Sequence, residues 1–230
     1  MIRSLVAAER NDVQGSGGRL AAWTGLVLLL ALIGYGSRLS SGKPPENALY
    51  QYDTAIGGAV IYGILLLLLL WIARGVPRRA FFALRPPQSW PKALGLALGA
   101  YVAIFAGAGL ILIALDAGDE QGLTPDKWDS SRAGAYAANF VTVAFVGPVV
   151  EELMYRGAGM TLLARYGAPA AVIATGVGFG LGHGLLLALP ALVWFGLVTA
   201  ALRLKTDSIY PCILVHCAFN ATSLILAVAT

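Results

Sequence analysis

Residues 55–73 read AIGGAVIYGILLLLLLWIA, a stretch with no charged side chain that is long enough to cross the hydrocarbon core of a bilayer as one helix. Asp53 stands just before it and Arg74 just after, so charge returns only at its edges. The whole chain follows the same composition. Of its 230 residues, 58% are hydrophobic and 12% charged, with mean hydropathy +0.74, whereas soluble domains carry about 25% charged residues. An ordinary soluble domain is excluded. At ~20 residues per span the length holds about seven spans and their loops. The expectation is an all-α, polytopic transmembrane helix bundle of one domain, 20–230, preceded by a cytoplasmic tail, 1–19, whose apolar run is too short for a signal peptide.

The remaining apolar stretches are 20–36, 93–115, a long one from Ala133 past Arg156 toward Arg165, 169–186, 189–204 and 210–228. Trp23 and Tyr35 of the first are expected at the two membrane interfaces, and the last turns of the fourth along the cytoplasmic one. Tyr166-Gly167-Ala168-Pro169 breaks the fourth span from the fifth, and the sixth ends in Arg203 and Lys205. Loop 74–92 holds Arg74, Arg78, Arg79, Arg85 and Lys92 without an acid, while loop 116–132 carries Asp116, Asp119, Glu120, Asp126 and Asp129 against Lys127 and Arg132. The positive-inside rule then places loop 74–92 and the N-terminus in the cytoplasm of a cell whose plasma or inner membrane holds the chain. The net charge of +4 thus reflects topology, and nucleic acid is not an expected partner. Cys212 and Cys217 point about 140° apart on one helix, which forbids a mutual disulfide, and read as packing residues.

Few ionisable groups fall inside the apolar stretches, and at membrane depth such groups are costly and functional by default. Glu151 and Glu152 follow Pro148 on the fourth span, and the only histidines, His183 and His216, lie on the fifth and seventh. Glu152 and Arg156 are i, i+4 with the acid first, the favourable order for an ion pair. Glu151, about 100° around the helix, is left without that partner and suits a general base. Phe179 and His183 stand one turn apart, so that His183 can share the proton of a water held by Glu151 while Phe179 lines the cavity. His216 and Asn220 repeat the i, i+4 spacing and can donate hydrogen bonds to one oxyanion; the competing reading is an interhelical bond of ~0.6 kcal/mol that only holds the bundle. Gly176, Gly178, Gly180, Gly182 and Gly184 offer close-approach faces on the fifth span.

Glu151-Glu152-x-x-x-Arg156, Phe179-x-x-x-His183 and His216-x-x-x-Asn220, in this order on successive apolar segments, resemble the CPBP family of CAAX-processing type II prenyl endopeptidases and bacteriocin-processing or immunity (Abi) proteins. The resemblance covers about residues 140–225. It implies an intramembrane endopeptidase with its catalytic core at about 133–228, in which Glu151 activates water, His183 assists, His216 and Asn220 stabilise the oxyanion, and Glu152 and Arg156 support them. The substrate expected is a peptide or protein, with or without a lipid at its C-terminus, taken with membrane lipid from a cavity open toward the cytoplasm. No cofactor is expected in the favoured, glutamic mechanism. Three alternatives stand beside it: a zinc enzyme liganded by Glu151, His183 and His216; a non-catalytic scaffold or immunity protein; and a haem between His183 and His216. His-Glu-x-x-His, Gly-x-Gly-Asp and Gly-x-Ser-x-Gly are absent from the sequence. One tension is built in. Counted at 1.5 Å per residue, His216 and His183 differ in depth by ~10 Å unless the helices tilt or the seventh starts inside the membrane.

Overall fold

The computed structural model describes residues 17–41, 47–118, 120, 125 and 127–229. Seven main helices run in order: α1 (Gly17–Ser41), α2 (Tyr52–Ile72), α3 (Trp90–Ala114), α4 (Ser130–Tyr166), α5 (Ala168–Leu181), α6 (Leu189–Thr206) and α7 (Tyr210–Ala229). All but α5 are long and apolar enough to cross a membrane, and there is no strand among the described residues. The chain is a multi-pass helical membrane protein. α1 begins at Gly17, and residues 1–16 of the expected tail lie outside the described residues.

Three departures from the sequence reading have physical causes. Trp23 is turned into the bundle: it is 4% exposed, and its indole N–H donates to the Met154 carbonyl at 2.9 Å. A buried Trp needs an acceptor, and α4 supplies one. Second, α4 keeps Met160 and Leu162 inside the bundle, and only its last turn, Ala164–Tyr166, reaches the surface. Third, α5 stops at Leu181 instead of continuing to residue 186. Gly184 there takes φ 64 and packs on Gly34, where a Cβ would come within 2.5 Å of the Gly34 carbonyl carbon. Only glycine accepts that turn and that approach without strain.

α4 is not a uniform α-helix. It is π-helical over Thr142–Val146 and Leu153–Gly159, with the α-helical turn Gly147–Glu152 between them. In the first π segment the Gly147 N–H reaches the Thr142 carbonyl, an i to i+5 bond. The next carbonyl, Val143, would in that register meet the nitrogen of Pro148, which has no hydrogen. Asn220 of α7 fills the vacancy, its Nδ2 donating to Val143 O at 2.9 Å.

The glycines of α5 work as their spacing predicts. Gly176 and Gly180 face α6, and a Cβ on Gly196 of α6 would stand 2.5 Å from the Gly176 carbonyl oxygen. Gly196→Ala is therefore expected to push α5 and α6 apart and cost about 1–3 kcal/mol, read as a lowered unfolding midpoint in detergent. An unchanged midpoint would show that the contact is not tight.

The depth mismatch closes because α7 starts partway up the bundle. Cys212 Sγ lies 3.4 Å from Thr199 O. Thr206, the end of α6, lies about 10 Å beyond Thr199, whereas Tyr210 lies only about 3 Å beyond Cys212, at 1.5 Å per residue. Residues 207–209 make up the difference, and loop 74–92 packs on them. Ile209 N donates to Ala83 O at 3.3 Å, and Arg85 Nε pairs with Asp207 Oδ2 at 3.0 Å. Phe81, Phe82 and Ile209 are all buried there. Loop 74–92 thus shares one end of the bundle with Arg203 and Lys205 of α6 and with Arg165 at the end of α4. The acidic loop that precedes α4 lies at the other end.

Candidate active site

Glu151 and Glu152 sit side by side on the short α-helical turn of α4 and face different surroundings. Glu152 is fully buried. Its Oε1 accepts from Arg156 Nη1 at 3.1 Å and meets His216 Nδ1 at 2.9 Å. Arg156, equally buried, donates through Nη2 to Gly196 O at 3.0 Å and to the Thr199 hydroxyl, and its guanidinium lies 4.7 Å over the Phe179 ring. The expected i, i+4 pair is therefore the node that ties α4 to α6 and α7. In an interior with no water to screen it, such a charge needs all of these partners.

Glu151 faces a cavity of 540 Å³ lined by Tyr62, His183, His216, Phe179, Phe195 and Asn220 among others. Its Oε1 accepts from the Tyr62 hydroxyl at 2.8 Å. Its Oε2 lies 4.0 Å from His183 Nε2 and 3.8 Å from His216 Nε2. The side chains of Glu151 and His183 keep 16% and 25% of their surface accessible, against 4% for His216. The two imidazoles that the linear sequence sets at different depths thus meet at one carboxylate oxygen.

Their outer hydrogen bonds fix which nitrogen carries the proton. His183 Nδ1 lies 2.8 Å from Phe179 O, and a carbonyl only accepts, so Nδ1 is the donor. The Nδ1 of His216 faces a carboxylate already paired to an arginine, and it too is the donor. In the neutral ring Nε2 is then an acceptor, and both Nε2 atoms point at Glu151. Gaps of 3.8 and 4.0 Å are too long for direct hydrogen bonds. Phe179 stacks on Phe195 at 5.1 Å and packs edge-on against His216, holding both rings of the pair in place. With Phe179 also 4.7 Å from the His183 ring, no gap remains between the imidazoles for a porphyrin.

Asn220 lines the same cavity, but one of its N–H groups is occupied by Val143 O. Tyr62 was not singled out by the sequence reading. A phenol in the middle of the most apolar span, far from either interface, is the signal that marks it, because a buried hydroxyl needs a partner.

The middle of α2 (residues 61–65) and of α4 (143–155) lines the cavity, together with residues 108–112 of α3 and 216–227 of α7, and Ala117, Gly118, Leu185 and Ala188 cap it. Glu120 ties that cap together, its carboxylate accepting from Leu186 N and Ala188 N at 2.7 Å each. Burial pushes the Glu120 carboxyl up, but the backbone N–H groups of Ala188, Leu186 and Leu187, with Arg38, hold it below its usual range. A depressed folded-state value stabilises above the unfolded pKa of ~4.3 and fades as pH falls through the lower folded value. The protection of the Leu186 and Ala188 amides, relative to their intrinsic exchange at each pH, is expected to fall below that range; unchanged protection would contradict the tie.

Residues 133–222 match the family model described as Type II CAAX prenyl endopeptidase Rce1-like. The match covers less than half of the chain. No curated protein and no solved structure matches the chain. The matched segment contains Glu151, Glu152, Arg156, Phe179, His183, His216 and Asn220. Tyr62 lies outside it.

Proposed function

We propose that this protein hydrolyses peptide bonds of membrane-associated polypeptides with a water activated by Glu151. The observation that supports this most is the meeting of three groups from α4, α5 and α7, Glu151 Oε2 and the Nε2 atoms of His183 and His216, on one accessible cavity. A water donating its two hydrogens to Glu151 Oε2 and His183 Nε2 turns a lone pair toward the substrate carbonyl carbon. As its oxygen bonds to that carbon, Glu151 takes the proton and negative charge moves onto the carbonyl oxygen. Glu151 then gives the proton to the departing amine nitrogen as the C–N bond breaks.

The oxyanion needs donors. His216 donates through Nε2 only when it carries both protons. The second N–H of Asn220, not used by Val143, is the other donor. Tyr62 holds Oε1 and so turns Oε2 toward the water. Tyr62→Phe is expected to lower kcat about 10-fold with KM little changed, because the lost bond orients the base and touches no substrate. A KM effect alone would assign Tyr62 to binding.

A zinc ion would need donors at about 2.0–2.2 Å, hence about 3.3–3.6 Å apart in a tetrahedral set. The spacings are 3.8 and 4.0 Å, Glu151 Oε1 is engaged by Tyr62, and among the described residues no group of three His, Cys, Asp or Glu side chains is arranged to hold a metal. As placed, these residues do not fit zinc, and the reaction is written without it. Incubating purified protein with apolar peptides, lipidated and not, with and without a chelator, tests the reading. Cleavage unaffected by chelator is expected. Cleavage abolished by chelator and restored by zinc would favour the metal set, and no cleavage of any peptide would favour a non-catalytic scaffold.

A further inference from the structure

Tyr155 follows Glu151 by one turn of α4, and both line the cavity. A buried phenol needs a hydrogen-bond partner. Tyr155 is 3% exposed, yet its hydroxyl makes no hydrogen bond among the described residues. The ring is held too firmly to swing toward one. It packs edge-on against Phe179 with centroids 5.4 Å apart, the Arg156 guanidinium lies 5.9 Å over it, and Gly178 of α5 flanks its Cε1. The side-chain atoms sealed from all open space without a partner are, among the described residues, Glu152 Oε2, Arg156 Nε and Arg203 Nε. The Tyr155 oxygen is not one of them, so it faces the cavity.

A glycine on α5 keeps that hydroxyl clear. Gly182, which also lines the cavity and directly precedes His183, has φ −61 and ψ −17, right-handed helical values that any residue adopts. The backbone therefore does not call for glycine there. A Cβ at that position would stand 2.6 Å from the Tyr155 oxygen, and its absence leaves the oxygen unobstructed. Other donors beside Glu151 are already engaged. Tyr62 gives its hydrogen to Glu151, and one N–H of Asn220 goes to Val143. A polypeptide that enters this apolar lining leaves behind the water that bonded its carbonyls, and a bare carbonyl in such a place is costly.

Building on the protease reading above, we propose that the Tyr155 hydroxyl is a substrate-binding group: it donates a hydrogen bond to a backbone carbonyl of the bound polypeptide beside the scissile bond. Gly182 serves that bond by leaving the hydroxyl free. Tyr155 takes no part in proton transfer, which belongs to Glu151. Its work is to hold the chain in reach of the water, whereas Tyr62 orients the carboxylate itself.

Peptide binding to the Glu151→Gln protein, which lacks the base, tests this apart from catalysis. Polarisation of fluorescein-labelled apolar peptides, lipidated and not, is expected to show about 10-fold weaker binding once Tyr155→Phe is added. The unfolding midpoint is expected to stay, because the ring and its packing remain. Gly182→Ala, whose methyl group crowds the hydroxyl, is expected to weaken binding when Tyr155 is present and to have no effect in the Tyr155→Phe protein. In cleavage by the otherwise wild-type chain, Tyr155→Phe is expected to raise KM about 10-fold with kcat held, the opposite split to Tyr62→Phe. Equal affinity with and without the hydroxyl, a loss confined to kcat, or no binding by either protein overturns the proposal. Should Tyr155→Phe fail to fold, Gly182→Ala decides, and unchanged affinity in it overturns the proposal. Hydroxyl-dependent binding without any cleavage by the wild type removes the protease reading and leaves Tyr155 as a peptide-binding group.

Discussion

Arg156→Met is expected to lower the stability of the protein by about 3–5 kcal/mol, the usual cost of removing one partner of a buried ion pair. Arg156 is wholly buried and bonds Glu152, the Gly196 carbonyl and the Thr199 hydroxyl, so it joins α4 to α6 at the level of the catalytic carboxylate. Methionine fills much of the volume, which leaves the charge as the main loss. Glu152 would then have only His216 as a partner. The double variant Glu152→Gln with Arg156→Met is expected to recover part of the loss, because it removes the uncompensated carboxylate as well. Thermal unfolding in detergent measures both. A single variant within ~0.5 kcal/mol of wild type, the range of ordinary surface substitutions, would show that the pair does not hold the bundle.

The same pair shows what the sequence could and could not convey. The i, i+4 spacing of Glu152 and Arg156 was legible because both sit on one helix. That Glu152 also meets His216, 64 residues later, was not. Helix count, the break at Gly167 and the glycine face of α5 follow from composition and periodicity, which are local. The depth at which α7 begins depends on residues 207–209 and on loop 74–92 folding against them, a tertiary fact.

Asn220 is the clearest instance. Its spacing from His216 suggested two donors facing one oxyanion. The structure engages one of its N–H groups with Val143, a carbonyl orphaned by Pro148 only because α4 is π-helical there. In α-helical register Pro148 would have orphaned Ala144 instead, and nothing in the sequence chooses between the two. Tyr62 escaped for a related reason: a tyrosine in an apolar run looks like packing until the carboxylate beside it is placed.

Glu151→Gln is the substitution that bears on the chemistry alone. The glutamine oxygen can still accept from Tyr62, and the residue keeps its size beside His183 and His216, so the fold and the cavity are expected to persist. What disappears is a group able to take a proton from water and return it to the amine, worth about 10²–10⁴ in rate. Tyr62→Phe keeps that base and only loosens it, hence its smaller expected effect.

The most direct test is the initial rate at which purified wild-type and Glu151→Gln proteins, matched for unfolding midpoint, cleave one internal bond of an apolar peptide, followed by mass spectrometry. The account predicts cleavage by the wild type and a fall of about 10³-fold in the variant; equal rates from the two proteins would contradict it.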